Sequence, residues 1–431
     1  MTYLSQSLAE QRVERDAWLA WLEQLHPYTI ELGLERVGSV YRQLFAQKPT
    51  ALVVTVAGTN GKGSTIALLA QLLHASSISY CAYTSPHLLD FNERIQINGQ
   101  TISDAELIAS FKRVEAARGD IRLTYFEFTT LAALVLFSQS NAQVWLLEVG
   151  LGGRLDAVNC IDSDLAIITA IALDHQAWLG DSVTSIAKEK AGILRQGRPV
   201  VFGEHHLELL RAAKRLNCPV YDQQQRQFEL LEQGWRLGVR LGYEVIYFQS
   251  TQWPSIPMPS MVLGLQAWLW LCQTLGIAHS SAAHQQVIEQ VALRGRLTEL
   301  SYSAAEPSIW LDVAHNPAAA ELLAQNLERI ALAPWQAVVA IMADKDVAGV
   351  LKPLLALVER WWIWPLDLPR AMSSKALAEQ LQTLGVATAN IDSSARSPEQ
   401  AWQRLRHCHA PIVVFGSFYT VESVYRHLQS N

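Results

Sequence analysis

The sequence predicts an α/β protein: an N-terminal parallel-sheet domain containing a phosphate-binding glycine loop (a P-loop), residues 1–293, and a smaller Rossmann-like C-terminal domain, residues 294–431. Three observations predict it. Short, uniformly apolar, β-branched runs alternate with helical patterns, which is how strands buried on both faces of a parallel sheet read. The first such run breaks at a glycine-rich turn that opens a helix. After Arg294 the alternation restarts over about 135 residues, the size of one doubly wound domain.

In chain order, residues 51–57 (ALVVTVA) form the first strand, and the helix after the glycine turn carries Ile66, Leu69 and Leu73 on one face. Residues 144–149 (VWLLEV) and 165–173 (LAIITAIAL) repeat the strand pattern, with helices expected over 129–138 and 182–194. From 198 to 258 the pattern loosens. A glutamine-rich stretch at 222–227 and alternation at 243–248 read as an antiparallel appendage outside the core. A proline- and serine-bearing stretch, 253–260, precedes an apolar helix through Leu271. The second series has strands at 308–313, 337–342, 361–364 and 412–415, with a helix from about Ala318.

Composition narrows the function. With 50% hydrophobic and 17% charged residues the chain has material for a large core and is not of the disordered class. A net charge of −6 gives no basis for a nucleic-acid groove or an anionic-lipid surface, so neither partner is expected. The five cysteines are scattered and never form a C-x-x-C pair, as in a reducing compartment. No export signal is read at the N-terminus, and no apolar run approaches the ~20 residues of a membrane helix. The expectation is a cytoplasmic protein.

The sharpest chemical signal is Gly58-Thr59-Asn60-Gly61-Lys62-Gly63-Ser64, between a strand and a helix. Backbone amides there converge on a phosphate and the lysine neutralises its oxygens. The spacing departs from the Walker A pattern, because only two residues separate Gly58 from Gly61 and Gly63 follows the lysine. Phosphoryl transfer also needs magnesium and hence a nearby acid. Glu148 ends an apolar strand and is the candidate, the alternative being a strand-end glutamate that reaches solvent. His175, after the next strand, is a ligand or a structural hydrogen bonder. On composition Lys190 reads as part of a solvated helix face. Asp312, His315 and Asn316 follow a strand at the mouth of the second domain, as do Gly416 and Ser417, and helix capping would account for them equally. The trio His407, Cys408 and His409 lacks the partner half of a zinc site.

Taken together, GTNGKGS, TSPHLLDFNERIQING (84–99), LTYFEFTTLAAL (123–134), LLEVGLGGRLDAVN (146–159), ALDHQAWLG (172–180), IAKEKAGI (186–193), LDVAHNP (311–317), ADKD (343–346) and VVFGSFYTV (413–421) resemble the dihydrofolate synthase and folylpolyglutamate synthase family of Mur-type amide ligases, over nearly the whole chain. The TYFE, GGRLDA and ALDHxxWLG segments are most similar to bifunctional bacterial members. The resemblance implies ATP-dependent joining of L-glutamate to dihydropteroate, giving dihydrofolate, and γ-linked glutamylation of folates through an acyl phosphate.

By the same resemblance, Gly58 to Ser64 would bind the ATP phosphates, and Arg296 and Asp312 would contact the nucleotide. Ser64, Ser85, Glu148 and His175 would serve two magnesium ions, and Lys190 would be carbamylated. Lys62, Lys190, His175 and Glu148 would form the catalytic set. Thr124, Tyr125, Phe126, Glu127, Leu155, Asp156 and Ala157 would line the pterin site, and Arg94, His315 and Ser417 would face the glutamate. Family members tend to be monomers. Where the family commonly has an adenine-contacting asparagine, this chain offers Ser260 or Gly264, so no adenine contact is assigned. Gln176 and Ala177 replace a more usual threonine and aspartate beside His175.

Overall fold

Apolar, β-branched strands give the chain two parallel-rich sheets. The computed structural model describes residues 7–28, 30–221, 226–241, 243–280, 282–300, 308–330, 334–405 and 410–429. Contacts divide the chain into unit 1, Met1–Pro254 with Met258–Val291, and unit 2, Ser255–Pro257 with Ala292–Asn431. The His407, Cys408 and His409 trio lies outside the described residues.

Unit 1 is built on eight strands: β1 (Leu52–Ala57), β2 (Tyr80–Tyr83), β3 (Ile95–Ile97), β4 (Gln100–Thr101), β5 (Val144–Glu148), β6 (Leu165–Ile168), β7 (Val200–Phe202) and β8 (Val220–Tyr221). Their order is β4-β3-β2-β5-β1-β6-β7-β8. The strands β2, β5, β1, β6, β7 and β8 are parallel neighbours. Connections leaving β1 and β5 run in opposite directions along the sheet, so a crevice opens at their carboxyl ends, where α/β sheets place ligands. The edge hairpin β3–β4 turns on Asn98 (φ +50°) and Gly99 (φ +79°), a two-residue Asn-Gly turn whose left-handed backbone matches the strand twist.

Helices cover both faces. Leu107, Phe111, Phe128, Leu131 and Trp145 are among the residues of one buried cluster. The helices Asp104–Arg118 and Tyr125–Gln139 begin at Ser103 and Thr124, each in a reciprocal capping box with a glutamate three residues on. Helix Met258–Leu275 packs on helix Lys62–Ala75, where Gly264 admits Leu68: a Cβ on that glycine would lie 2.6 Å from the leucine side chain.

The stretch expected to be an appendage divides. Val200–Phe202 and Val220–Tyr221 extend the main sheet, because Val200 and Val201 are fully buried against β6. Only β9 (Arg226–Leu230), β10 (Trp235–Leu241) and β11 (Glu244–Ser250) form a separate antiparallel sheet. The apolar run 165–173 leaves the sheet at Ile168, earlier than its hydrophobicity implies. The apolar helix takes in Met258 to Ser260, so that end of the proline- and serine-bearing stretch is helical.

Unit 2 carries β12 (Thr298–Leu300), β13 (Ile309–Leu311), β14 (Trp335–Val339), β15 (Val358–Ile363), β16 (Ile391–Asp392) and β17 (Ile412–Phe415), ordered β12-β13-β17-β14-β15-β16. All pairings are parallel except β12 with β13. Trp335, Trp361 and Phe415 fill its core, so these two tryptophans are packing residues. Among the described residues, no helix is long and apolar enough to cross a membrane.

Candidate active site

The glycine loop follows β1 and opens helix Lys62–Ala75. Gly58 has φ +152°, and a Cβ there would stand 1.6 Å from the Thr169 hydroxyl, so no other residue fits. Gly61 (φ +87°) caps the helix in the left-handed region. The loop is tied to the chain leaving β6. Thr59 N–H donates to the Ala170 carbonyl at 2.7 Å, and the Thr169 hydroxyl donates to the Asn60 carbonyl at 2.7 Å. Lys62 Nζ donates to the carbonyls of Gly58 (3.0 Å) and Thr59 (3.3 Å), which holds the ammonium over the loop. A rigid turn with a cation and a helix N-terminus is the arrangement that binds phosphate oxygens.

Glu148 ends β5 opposite Val56 of β1 and is 5% exposed, which overturns the solvent-reaching alternative. Its Oε2 accepts the Ser85 N–H at 3.1 Å. Ser85 follows β2, the neighbour of β5 on its other side. Ser64 is 1% exposed and its hydroxyl has no hydrogen-bond partner among the described residues, a costly state for a buried polar atom unless something coordinates it. Among the described residues no three His, Cys, Asp or Glu side chains cluster as a metal site. A buried carboxylate and an unsatisfied serine hydroxyl are nevertheless oxygen donors of the kind that suit magnesium, which commonly takes one or two carboxylates and completes its shell with phosphates and water.

His175 is not at the end of β6 itself. It lies seven residues beyond Ile168, in the left-handed region (φ +52°), at the start of the short helix Gln176–Leu179. Its N–H donates to Asp174 Oδ1 at 2.8 Å, and its ring Nε2 stands 4.0 Å from Asp174 Oδ2.

Lys190 is 2% exposed, so the solvated-face reading is wrong. It lies on the face of helix Val183–Lys190 that also buries Ile186 and Ala187, four and three residues earlier, and that spacing was a usable signal. Burial, then the like charge of Lys62, push its ammonium down from 10.5 to about 7, against the attraction of Asp174 and Asp156. Gly153 permits this packing: a Cβ there would fall 2.9 Å from the Glu189 carbonyl. Asp156 is 3% exposed, and burial raises its carboxyl to about 7 against the pull of backbone N–H groups and of Lys62. Leu151 N–H and Val158 N–H donate to it at 2.8 and 3.0 Å.

The other pterin-side candidates gather around the start of helix Tyr125–Gln139. Thr124 caps it, and Phe126 lies on Gly150, where a Cβ would stand 2.6 Å from the ring. Glu127 is buried and engaged: it accepts Thr124 N–H at 2.7 Å and Arg36 Nη2 at 3.1 Å. Arg36 also pairs with Glu31, and Gly33 N–H donates to the Leu155 carbonyl at 3.3 Å, so residues 31–36 brace the loop that carries Leu155, Asp156 and Ala157. Arg94 has its guanidinium 5.8 Å from the Tyr125 ring and donates to His87 Nδ1 at 2.9 Å.

In unit 2, Asp312 follows β13. Burial raises its carboxyl against the charge of Arg296, and it accepts Leu297 N–H (3.0 Å) and Ala314 N–H (2.8 Å). His315 Nδ1–H donates to the Val313 carbonyl at 2.8 Å. Asn316 caps helix Pro317–Ile330, and Ser417 accepts Thr420 N–H at 3.0 Å, so capping accounts for both of these.

Within unit 1 the structure therefore gathers the glycine loop, Ser85 and Glu148 at adjacent strand ends, with Lys62, Lys190, Asp156 and Asp174 near enough to feel one another's charge. Arg36, Thr169 and Asp174 are part of this arrangement and were not singled out from the sequence. Asp174 had a signal in its place next to His175. Arg36 lies in ELGLERV (31–37), where the family resemblance begins, but nothing local pointed to its role, since its partner is 91 residues away.

Known proteins resemble this chain in sequence and in fold. Residues 56–222 match the Mur ligase middle domain, and residues 295–418 match the Mur ligase glutamate ligase domain. The dihydrofolate synthase/folylpolyglutamate synthase of Escherichia coli K12 is 38% identical over 95% of this chain and 94% of its own length. The structure of E. coli FolC in complex with DHPP and ADP superposes with a TM-score of 0.86 at 36% identity, covering 100% of this chain and 99% of that one. A bifunctional folylpolyglutamate synthase/dihydrofolate synthase with Mn, AMPPNP and L-glutamate bound gives a TM-score of 0.84 at 39% identity, covering 99% and 98%. The chain belongs to the dihydrofolate synthase/folylpolyglutamate synthase family of Mur ligases.

Proposed function

We propose that this chain uses ATP to join L-glutamate to dihydropteroate, forming dihydrofolate, and to add γ-linked glutamates to folates. The observation that carries the reading is the glycine loop with Lys62, set beside the buried carboxylate of Glu148 at the crevice of the sheet. Relatives alike over the full chain length bind ADP, AMPPNP, Mn and L-glutamate.

A carboxylate is a poor acyl donor, so its oxygen first attacks the γ-phosphorus of ATP and ADP departs. The glutamate amine then attacks the acyl phosphate carbon, loses a proton, and phosphate leaves from the tetrahedral intermediate. The loop amides of Gly58 to Ser64 and the Lys62 ammonium hold the phosphate oxygens, and positioning with charge balance supplies most of the catalysis. Ser64, Ser85, Glu148 and His175 would hold two divalent cations, which neutralise the phosphate charge. Burial pushes Lys190 down to about 7, which brings its neutral amine within reach at neutral pH, so Lys190 can add carbon dioxide, release a proton and become a carbamate anion that would serve the second cation. Arg296 and Asp312 would meet the nucleotide. Thr124 to Glu127 and Leu155 to Ala157 would line the pterin site, and Arg94, His315 and Ser417 would face the glutamate. The reading includes a monomer at work in the cytoplasm on small molecules alone.

The test is incubation of purified protein with ATP, magnesium and L-glutamate, with dihydropteroate in one arm and a reduced folate in the other. Dihydrofolate in the first and lengthened folate in the second are expected. Product in the second arm alone would leave a folylpolyglutamate synthase, and product in neither would refute the proposal.

A further inference from the structure

The chain between Ile168 and Gln176 carries His175 yet has no regular secondary structure, so something else must hold it. Three of its backbone groups are held by Thr59 of the glycine loop. Ala170 O accepts the Thr59 N–H, Ala172 N–H donates to Thr59 Oγ1 at 3.0 Å, and Thr59 Oγ1–H donates to Ala172 O at 3.1 Å. The intervening amide, Ile171 N–H, faces the other way and donates to Glu204 Oε1 at 2.9 Å.

Glu204 is placed for this by the residue before it. Gly203 N–H donates to the Ile168 carbonyl at 2.7 Å, carrying the β6–β7 pairing past the end of β7. A Cβ on Gly203 would lie 2.9 Å from the Thr169 carbonyl, so only glycine lets the backbone come this close. The next side chain then reaches Ile171. The His175 arm is thus clamped between the glycine loop and the end of β7.

We propose that Glu204 is a positioning residue: its carboxylate fixes the arm that presents His175 beside the glycine loop. The proposal rests on the reading of His175 as a cation ligand, and it extends that site to a residue three strands away from Glu148 in the sheet. Partners that orient metal ligands typically change affinity by about 10- to 100-fold when removed.

The test uses the full chain, wild type against Glu204→Ala, Glu204→Gln and His175→Ala. Amide hydrogen exchange over residues 169–175 is followed in the free enzyme, and Mn2+ affinity in the presence of ADP is measured by electron paramagnetic resonance. Glu204→Ala is expected to speed exchange at Ile171 by about tenfold, the worth of one hydrogen bond. It is also expected to weaken Mn2+ binding about tenfold or more. Glu204→Gln keeps an acceptor oxygen and is expected to restore both. Unchanged exchange and affinity in Glu204→Ala, or a Gln variant as impaired as the Ala variant, would overturn the proposal. Faster exchange in Glu204→Ala together with unimpaired Mn2+ binding by His175→Ala would support the clamp and refute His175 as a ligand.

Discussion

Replacing Lys190 by methionine tests the electrostatics of the site. The side chain is 2% exposed, and its ammonium titrates near 7 instead of 10.5, mainly because burial removes water from the charge. At ~1.36 kcal/mol for each tenfold change in proton affinity, keeping that ammonium in place costs the folded chain about 5 kcal/mol. The unfolded chain holds the proton up to pH 10.5 and the folded chain releases it near pH 7. Between those values the unfolded state binds more protons, so stability rises with pH. Methionine fills similar volume without the charge. In carbonate-free buffer, Lys190→Met is expected to be more stable than wild type by a few kcal/mol at pH 7, and the gap is expected to shrink by about 2 kcal/mol at pH 9. Urea unfolding of both proteins at the two pH values measures it. A gap that does not vary with pH, or a variant less stable than wild type at pH 7, would refute the argument.

Other perturbations probe neighbouring groups. Lys190→Ala is expected to lose turnover and to regain part of it with added short-chain carboxylic acids; full activity without them would remove the carbamate. Lys62→Ala is expected to lower turnover by at least ~100-fold, as for removal of one donor that stabilises transition-state charge, with little change in melting temperature; near-normal rates would remove its role. Arg36→Leu strands the buried Glu127 carboxylate and is expected to cost about 3 kcal/mol, while Arg36→Leu with Glu127→Leu is expected to recover most of it in a denaturation cycle. Additive losses would show that the two side chains do not act as a pair.

The parts legible in the sequence were those written in consecutive residues. The first strand, the glycine loop and the helix after it form one local pattern, and β13, β14, β15 and β17 of the second sheet announce themselves as apolar runs, whereas β12 and β16, two or three residues long and carrying Glu299 and Asp392, do not. The two-residue strand β8 is too short to show a period, and it belongs to the sheet only because Val200 and Val201 of β7 are buried beside it. The run 165–173 is apolar except for Thr169, and a threonine is as common inside a strand as at its end, Thr55 of β1 being one, so nothing local marks the exit there. That exit depends on a hydroxyl bond to Asn60, 109 positions away. The Lys190 result differs in kind, because the helical spacing from Ile186 already placed it on the buried face and residue type alone argued the opposite. The roles of Arg36 and Glu204 were not legible because each acts on a partner distant in the chain, 91 and 33 residues respectively.

The central claim is that a pteroate carboxylate takes the terminal phosphoryl group of ATP before the glutamate amine attacks. It is tested most directly by dihydropteroate labelled with 18O in both carboxylate oxygens, turned over with ATP and L-glutamate. Mass spectrometry of the released phosphate is expected to find one 18O atom for each dihydrofolate formed, carried across in the acyl phosphate. Dihydrofolate accompanied by phosphate without the label would contradict the mechanism.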